Sequence, residues 1–199
     1  MSILPHGAQD TPRTDRQEEI LGQLSELFAR EGFRSFTLGD IAARLSCSRR
    51  TLYELAESKD DLVALVAGRF LDSNYRHGLE ATLGVDSARE RIRAFVDAVV
   101  TDAARLSLAF ADDLFSTPRT AALVAHYDER CTSLAETLIR DGQATGEFAA
   151  VNPSVAANSL MAAIARVQDT AVLAALGLHY GEAARQVVDL LLVGLDRRG

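Results

Sequence analysis

The feature that most constrains this chain is a repeated start signal for helices. A hydroxyl or amide side chain is followed by a proline, an acid or a basic turn, and then by an apolar run at helical spacing. Thr37 precedes Asp40 and the run Leu38, Ile41, Ala42, Leu45; Ser48 precedes Leu52 and Leu55; Ser58 precedes Asp61 and Leu62, Leu65, Val66, Phe70. Thr117-Pro118 and Asn152-Pro153 each place a cap residue before a proline at the first helical position, where the missing N–H costs nothing. No segment alternates apolar and polar residues between turns in the manner of a strand. The fold class expected is therefore all-α, with about nine helices.

The first dozen residues read as a loose arm. A first helix follows from Thr14 to Arg30, with Ile20, Leu24, Leu27 and Phe28 on one face and Gly32 beyond its end. Asp86 is expected to cap a helix bearing Ile92, Phe95, Val96 and Val99, and a shorter one holds Leu108, Phe110, Leu114 and Phe115. The helix after Pro118 runs to Thr145 and stops at Gly146. One after Pro153 continues to Gly177, and a last one covers Tyr180 to Arg197.

With 48% hydrophobic residues the chain can bury a sizeable core, which excludes disorder. The net charge of −7 argues at first against a nucleic-acid partner. Its distribution reverses the inference: Ile41 to Tyr53 contains no acid but holds Arg44, Arg49 and Arg50, and the chain's single lysine is Lys59. Cys47 and Cys131 are too far apart for a metal motif and read as small buried thiols of a reducing compartment. Met1 to Pro12 lacks the charged start and apolar run of a secretory signal, and Asp189 interrupts the most apolar stretch, Val187 to Leu195. A cytoplasmic location is expected.

Two short helices separated by Ser46-Cys47-Ser48, the second one basic, have the geometry of a helix-turn-helix DNA reader. Arg49, Arg50, Tyr53 and Glu54 fall on the exposed side of the second helix, and Leu52 and Leu55 on the inner side. Arginines suit guanine edges or phosphates, while the hydroxyls of Thr37, Ser48 and Thr51 suit phosphate oxygens.

The stretch Leu27 to Val66 resembles the DNA-binding region of the TetR family of transcriptional regulators. The likeness rests on Phe28-Ala29-x-x-Gly32-Phe33, Thr37, Ile41-Ala42, Ser48, Thr51-Leu52-Tyr53 and Ser58-Lys59 before Leu62. The turn Gly146-Glu147-Phe148 before Asn152-Pro153 is also similar to the family's break before its penultimate helix. The resemblance implies phosphate contacts from Thr37, Tyr53 and Lys59, and base or backbone contacts from Arg49 and Arg50. Two departures stand out: Ser46 occupies a turn position often held by Gly, and Leu55-Ala56 replaces a common aromatic pair.

The expected organisation is an N-terminal arm and helix-turn-helix DNA-binding domain over 1–57, followed by a helical ligand-binding and dimerisation domain over 58–199. The last two helices are too apolar for one buried stripe, which calls for a second burial partner and points to a homodimer. Phe95, Phe110, Phe115, His126 and Tyr127, with Arg166 and Asp169 as polar anchors, are the residues expected around a small apolar or aromatic ligand. No Gly-rich phosphate loop, nucleophile elbow or zinc motif is present, so no catalysis, metal or other cofactor is expected. His126, Asp128, Glu129 and Cys131 are close in sequence, but neighbouring helical positions face different ways. Three functions remain open on the sequence: a DNA-binding repressor released by a small ligand, a helical binding protein or enzyme whose N-terminal helices bind no DNA, and a regulator without a ligand.

Overall fold

The computed structural model describes residues 13–195; the expected N-terminal arm and the end of the last helix at Arg197 lie outside them. The described residues form ten α-helices and no strand. In order these are α1 (Asp15–Glu31), α2 (Leu38–Arg44), α3 (Arg49–Leu55), α4 (Lys59–Ala81), α5 (Ala88–Ala103), α6 (Leu108–Asp113), α7 (Pro118–Ala144), α8 (Pro153–Arg166), α9 (Thr170–Leu176) and α10 (Tyr180–Leu195).

The chain divides into two compact units. One contains the described part of Met1–Phe70 with Ser107–Leu123, and the other Leu71–Leu106 with the described part of Val124–Gly199.

In the first unit, Thr14 caps α1 by accepting from Gln17 N–H, and the Gln17 side chain accepts from Thr14 N–H in return. Thr37 and Asp40 make the same reciprocal box at α2. Ile20, Leu21, Leu24 and Phe28 of α1 are fully buried, as are Ile41 of α2, Leu52 of α3 and Leu62 of α4. Helix α6 folds back onto α1, and Ser107 N–H donates to the Ala29 carbonyl at 2.8 Å. Phe110 packs edge-on against Phe33 at 5.9 Å and Phe70 at 5.6 Å, and Phe33 in turn meets Phe28 at 5.8 Å. Such ring pairs contribute about 0.5–1.5 kcal/mol each beyond simple burial.

The second unit is built on α5, α8 and α10 with the later part of α7. Its core includes Ile92, Val96, Leu138, Leu160, Val188 and Leu192. Helix α5 starts one residue later than expected: Ser87, rather than Asp86, is the cap and accepts from Glu90 N–H. Glu147 reinforces that start from the α7–α8 turn, accepting from Ser87 Oγ at 2.8 Å, Ala88 N–H at 3.1 Å and Arg89 N–H at 3.3 Å. Desolvation alone would raise the Glu147 carboxyl; these hydrogen bonds outweigh it and hold the group below its ordinary value.

The single helix expected from Pro153 to Gly177 is two. Asp169 accepts from Ala171 and Val172 N–H as the N-cap of α9, which ends the preceding run at Arg166. A carboxylate at that position competes for backbone donors and starts a new helix rather than continuing the old one. Helices α8 and α9 are consequently bent by 81°, and no single helix among the described residues is long and apolar enough to cross a membrane.

Candidate DNA-binding surface and ligand cavity

Helices α2 and α3 are joined by a turn whose sharpness rests on Ser46. Its φ is +49°, the one left-handed non-glycine residue among those described. That shape lets Cys47 N–H reach the Ala42 carbonyl at 3.0 Å and closes α2. Ser46 therefore takes up the backbone that a glycine would adopt without strain.

Ser48 caps α3: its Oγ accepts from Thr51 N–H at 3.1 Å and lies 2.8 Å from the Thr51 hydroxyl. Helix α3 buries Leu52 and exposes Arg49, Arg50 and Tyr53, with Tyr53 55% exposed. Arg50 pairs with Glu54 at 3.2 Å, whereas Arg49 has no carboxylate partner among the described residues and rests over Gly39. A methyl group at position 39 would come within 2.5 Å of the Arg49 guanidinium, so Gly39 leaves room for that side chain.

Thr37 is exposed, but its hydroxyl donates to Asp40 at 2.6 Å as part of the α2 cap. The half-buried Lys59, in the first turn of α4, donates to the Arg34 carbonyl at 3.1 Å, which offsets its unfavourable place at a helix N-terminus. Arg44 is committed elsewhere, to Glu31 at 2.7 Å and the Phe36 ring. Half-buried Cys47 has its thiol pushed up by desolvation and so stays protonated.

The residues expected around a ligand are not brought together. Phe110 lies in the core of the first unit and Phe115 is 62% exposed there. Arg166 and Asp169 pair with each other at 2.8 Å on the surface of the second unit, where Asp169 caps α9. His126 is half-buried; its Nδ1 has no hydrogen-bond partner and lies 3.8 Å from Glu129.

Phe95 and Tyr127 do share a cavity. It has a volume of about 60 Å³ and is lined in addition by Asp128, Cys131, Met161, Gln168 and Tyr180. The Tyr127 hydroxyl donates to Asn74 Oδ1, and Asn74 Nδ2 donates to the Val99 carbonyl at 3.0 Å. Tyr75 stacks behind, edge-on to Phe95 at 5.7 Å and to Tyr127 at 6.3 Å. Tyr180 accepts from Gln168 Nε2 at 3.1 Å. Burial raises the Tyr127 and Tyr180 phenols and pushes the Cys131 thiol up to about 12, so all three stay neutral.

The sequence reading missed Asp128, Cys131 and Tyr180 as cavity residues. Asp128, Cys131 and Ala135 stand at i, i+3 and i+7 of α7, a spacing that puts all three on one face. A second, larger groove of about 310 Å³ runs beside α8 and α10, bordered by Val155, Leu191 and Leu195. Val155 on its border is 63% exposed, and Leu190 and Val193 of α10 are 73% and 65% exposed.

Comparison with known proteins agrees with both halves of this description. Residues 20–66 match the bacterial regulatory proteins of the tetR family, and residues 88–188 match the tetracyclin repressor-like C-terminal domain. The HTH-type transcriptional activator FasR of Mycolicibacterium smegmatis is 30% identical over 132 residues, which cover 64% of this chain and 60% of that protein. The HTH-type regulator YvaF of Bacillus subtilis is 44% identical over 54 residues, 27% of this chain and 28% of that one. The chain thus aligns with less than two thirds of the length of either relative.

Among solved structures, a transcriptional regulator from Saccharomonospora viridis in complex with choline superposes with a TM-score of 0.78 at 20% identity, over 94% of this chain and 100% of that one. A regulator of the TetR/AcrR family from Thermobifida fusca has a TM-score of 0.67 at 25% identity, over 92% and 100% of the two chains. With its N-terminal match on the helix-turn-helix and its C-terminal match over half its length, the chain belongs to the TetR family of bacterial regulatory proteins.

Proposed function

We propose that this protein is a sequence-specific DNA-binding transcriptional regulator, a homodimeric repressor that a small apolar or aromatic ligand releases from its operator. The observation that carries the reading is α3: a capped helix whose outward side bears Arg49, Arg50 and Tyr53, free of acids in its first turn. Arg49 and Arg50 are the base-reading or backbone groups. Tyr53, Lys59, Thr37, Ser48 and Thr51 engage phosphates, the three hydroxyl residues through spare lone pairs and adjacent backbone N–H groups.

Two copies of α3 about 34–36 Å apart would read successive half-sites of a near-palindromic operator. The exposed Val155, Leu190 and Val193 on α8 and α10 are the surface a twin subunit would cover, as apolar helix faces require. Ligand binding in the second unit weakens DNA binding by the same factor by which DNA weakens ligand binding.

The test is a gel shift on the DNA upstream of the gene, run across a salt series. Affinity should fall by orders of magnitude between about 50 and 200 mM salt, and Arg49→Ala and Lys59→Ala should each lower the slope by about one. Binding that ignores salt and both substitutions rejects the reading. Because FasR is named an activator, a reporter assay decides the sign: expression rising when the gene is deleted supports repression.

A further inference from the structure

Glycine is a poor residue inside a helix unless the backbone or the packing demands it. Gly39 is the second residue of α2, between Leu38 and Asp40. Its φ lies outside the left-handed region, so the backbone does not require glycine there. What the missing side chain supplies is space. The three heavy atoms nearest to an added methyl all belong to the Arg49 guanidinium, with Nη2 at 2.5 Å, Cζ at 3.3 Å and Nε at 3.4 Å. Gly78 and Gly142 also make room, but for Phe95 and Phe148, rings of the core. Gly39 makes room for a charge on an exposed side chain.

Arg49 is the first residue of α3, the position from which a recognition helix reaches base edges. Of the three arginines between Ile41 and Tyr53, Arg44 is held by Glu31 and Arg50 by Glu54. Arg49 has no such partner among the described residues, and its guanidinium lies against α2 instead. Asp40 draws it from beyond ion-pair distance, while the Asp40 carboxylate itself is taken by the N–H and hydroxyl of Thr37. A guanidinium braced in this way has fewer orientations to lose on meeting a base, and its fork of donors suits O6 and N7 of guanine.

The place beside Gly39 holds one group and not two, since a methyl at 39 and the guanidinium exclude each other. The group displaced is the free end of a flexible side chain, so the fold absorbs the change, and alanine is the better helix former. The cost falls on where Arg49 points.

We infer that Gly39 is a specificity-determining residue of the DNA reader: by leaving its place on α2 free of a side chain it seats the Arg49 guanidinium toward one guanine of each half-site, and any side chain at 39 unseats it. Gly39 is a positioning residue that acts through Arg49. The inference rests on the DNA-binding reading above and adds a residue outside α3 to those that decide the operator sequence.

The experiment selects binding sites from a pool of randomised duplexes, using the purified full-length protein, Gly39→Ala, Arg49→Ala and the double variant. The unaltered protein should enrich a two-fold symmetric site with one guanine per half-site that Arg49→Ala no longer selects. A bidentate arginine–guanine pair discriminates by about 5- to 150-fold, and Gly39→Ala should lower the preference for that guanine by about fivefold or more. Other positions of the site should be unaffected. The salt slope of Gly39→Ala should match that of the unaltered protein, because no charge is lost, and its melting temperature should be equal or higher. With Arg49→Ala already present, Gly39→Ala should change no base preference.

Selection of the same sites by Gly39→Ala and the unaltered protein overturns the inference. So does a change of preference that persists without Arg49, or an Arg49→Ala variant that alters no base preference. A lowered melting temperature in Gly39→Ala means that the space serves packing, and overturns it too. All of these leave the regulator reading standing when the unaltered protein enriches a site; if it enriches none, that reading and this inference fall together.

Discussion

Asp113 holds Phe33 from eighty positions away in the sequence: its carboxylate accepts the Phe33 N–H at 2.6 Å and the Arg34 N–H at 2.8 Å. Asp113 is itself buried, and Gly32 makes the approach possible, since a methyl group there would lie 2.6 Å from the Asp113 carboxylate. Gly32 also has a φ of +73°, which a residue with a side chain rarely adopts. Asp113→Ala leaves two N–H groups unpaired and is expected to cost about 2–4 kcal/mol, whereas Asp113→Asn keeps an acceptor and should cost about half as much. Thermal and urea unfolding of both variants measure the difference, and equal costs would mean that the carboxylate charge, not the hydrogen bonding, dominates.

Ser46 gives a prediction of the opposite sign. It occupies the left-handed region at φ +49° and has a Cβ to accommodate. Ser46→Gly should relieve about 1 kcal/mol of backbone strain, partly offset by the greater entropy of the unfolded glycine chain. Ser46→Val should destabilise by about 1–2 kcal/mol or more, because a β-branched side chain suits that backbone poorly. Denaturant melts give both values, and a destabilised glycine variant would contradict the strain argument.

Glu54 tethers Arg50 at 3.2 Å in an exposed pair. Such pairs contribute little to stability, about 0.3–0.5 kcal/mol within a helix. Glu54 also places a negative charge on the helix proposed to meet DNA phosphates. Glu54→Gln should therefore leave the melting temperature almost unchanged and tighten operator binding about two- to fivefold at low salt, an advantage that shrinks as salt rises. A gel-shift salt series on this variant checks it, and weaker binding would mean that Glu54 makes a favourable contact to a base.

Leu190 and Val193 of α10 are left largely uncovered by the described residues. Leu190→Glu with Val193→Glu should convert a dimer to a monomer at micromolar concentration, seen by light scattering, with little loss of helicity. Operator affinity should fall as dimerisation is lost, since one half-site supplies only part of the binding free energy. A double variant that stays dimeric would move the interface elsewhere.

Glu147 couples the start of α5 to pH. Its folded carboxyl lies below its ordinary value, so the stability it contributes is fully present above the unfolded value of about 4.3 and is lost as pH falls through the lower folded one. Glu147→Gln should destabilise the protein at neutral pH by about 1–2 kcal/mol, with a smaller deficit in acid. Unfolding curves at pH 7 and below pH 4 test this, and a deficit independent of pH would show that the ionised carboxylate is not what matters.

Much of the helical layout was readable because capping is local. Thr37 with Asp40, Ser48, and Asn152 before Pro153 all mark helix starts in the structure, using only atoms within three residues. The break at Asp169 was missed although its cap is equally local, since the apolar run on either side outweighed one acid. The cavity residues were harder for a different reason. Phe95 and Phe110 look alike as residues, but α6 folds back on α1, which places Phe110 among Phe33 and Phe70 instead of beside the cavity. Which of two cores receives an aromatic depends on contacts such as Ser107 to Ala29, and no local spacing encodes them.

Helix α3 has seven residues, a neutral cap, no acid in its first turn and Leu52 as its only fully buried side chain. The face left open for recognition is thus secured from behind by a single anchor. If α3 reads DNA as proposed, trimming Leu52 to alanine would damage that reading as surely as removing an arginine, through loss of posture instead of loss of contact. The reader's precision is in this sense borrowed from the pocket that grips one leucine.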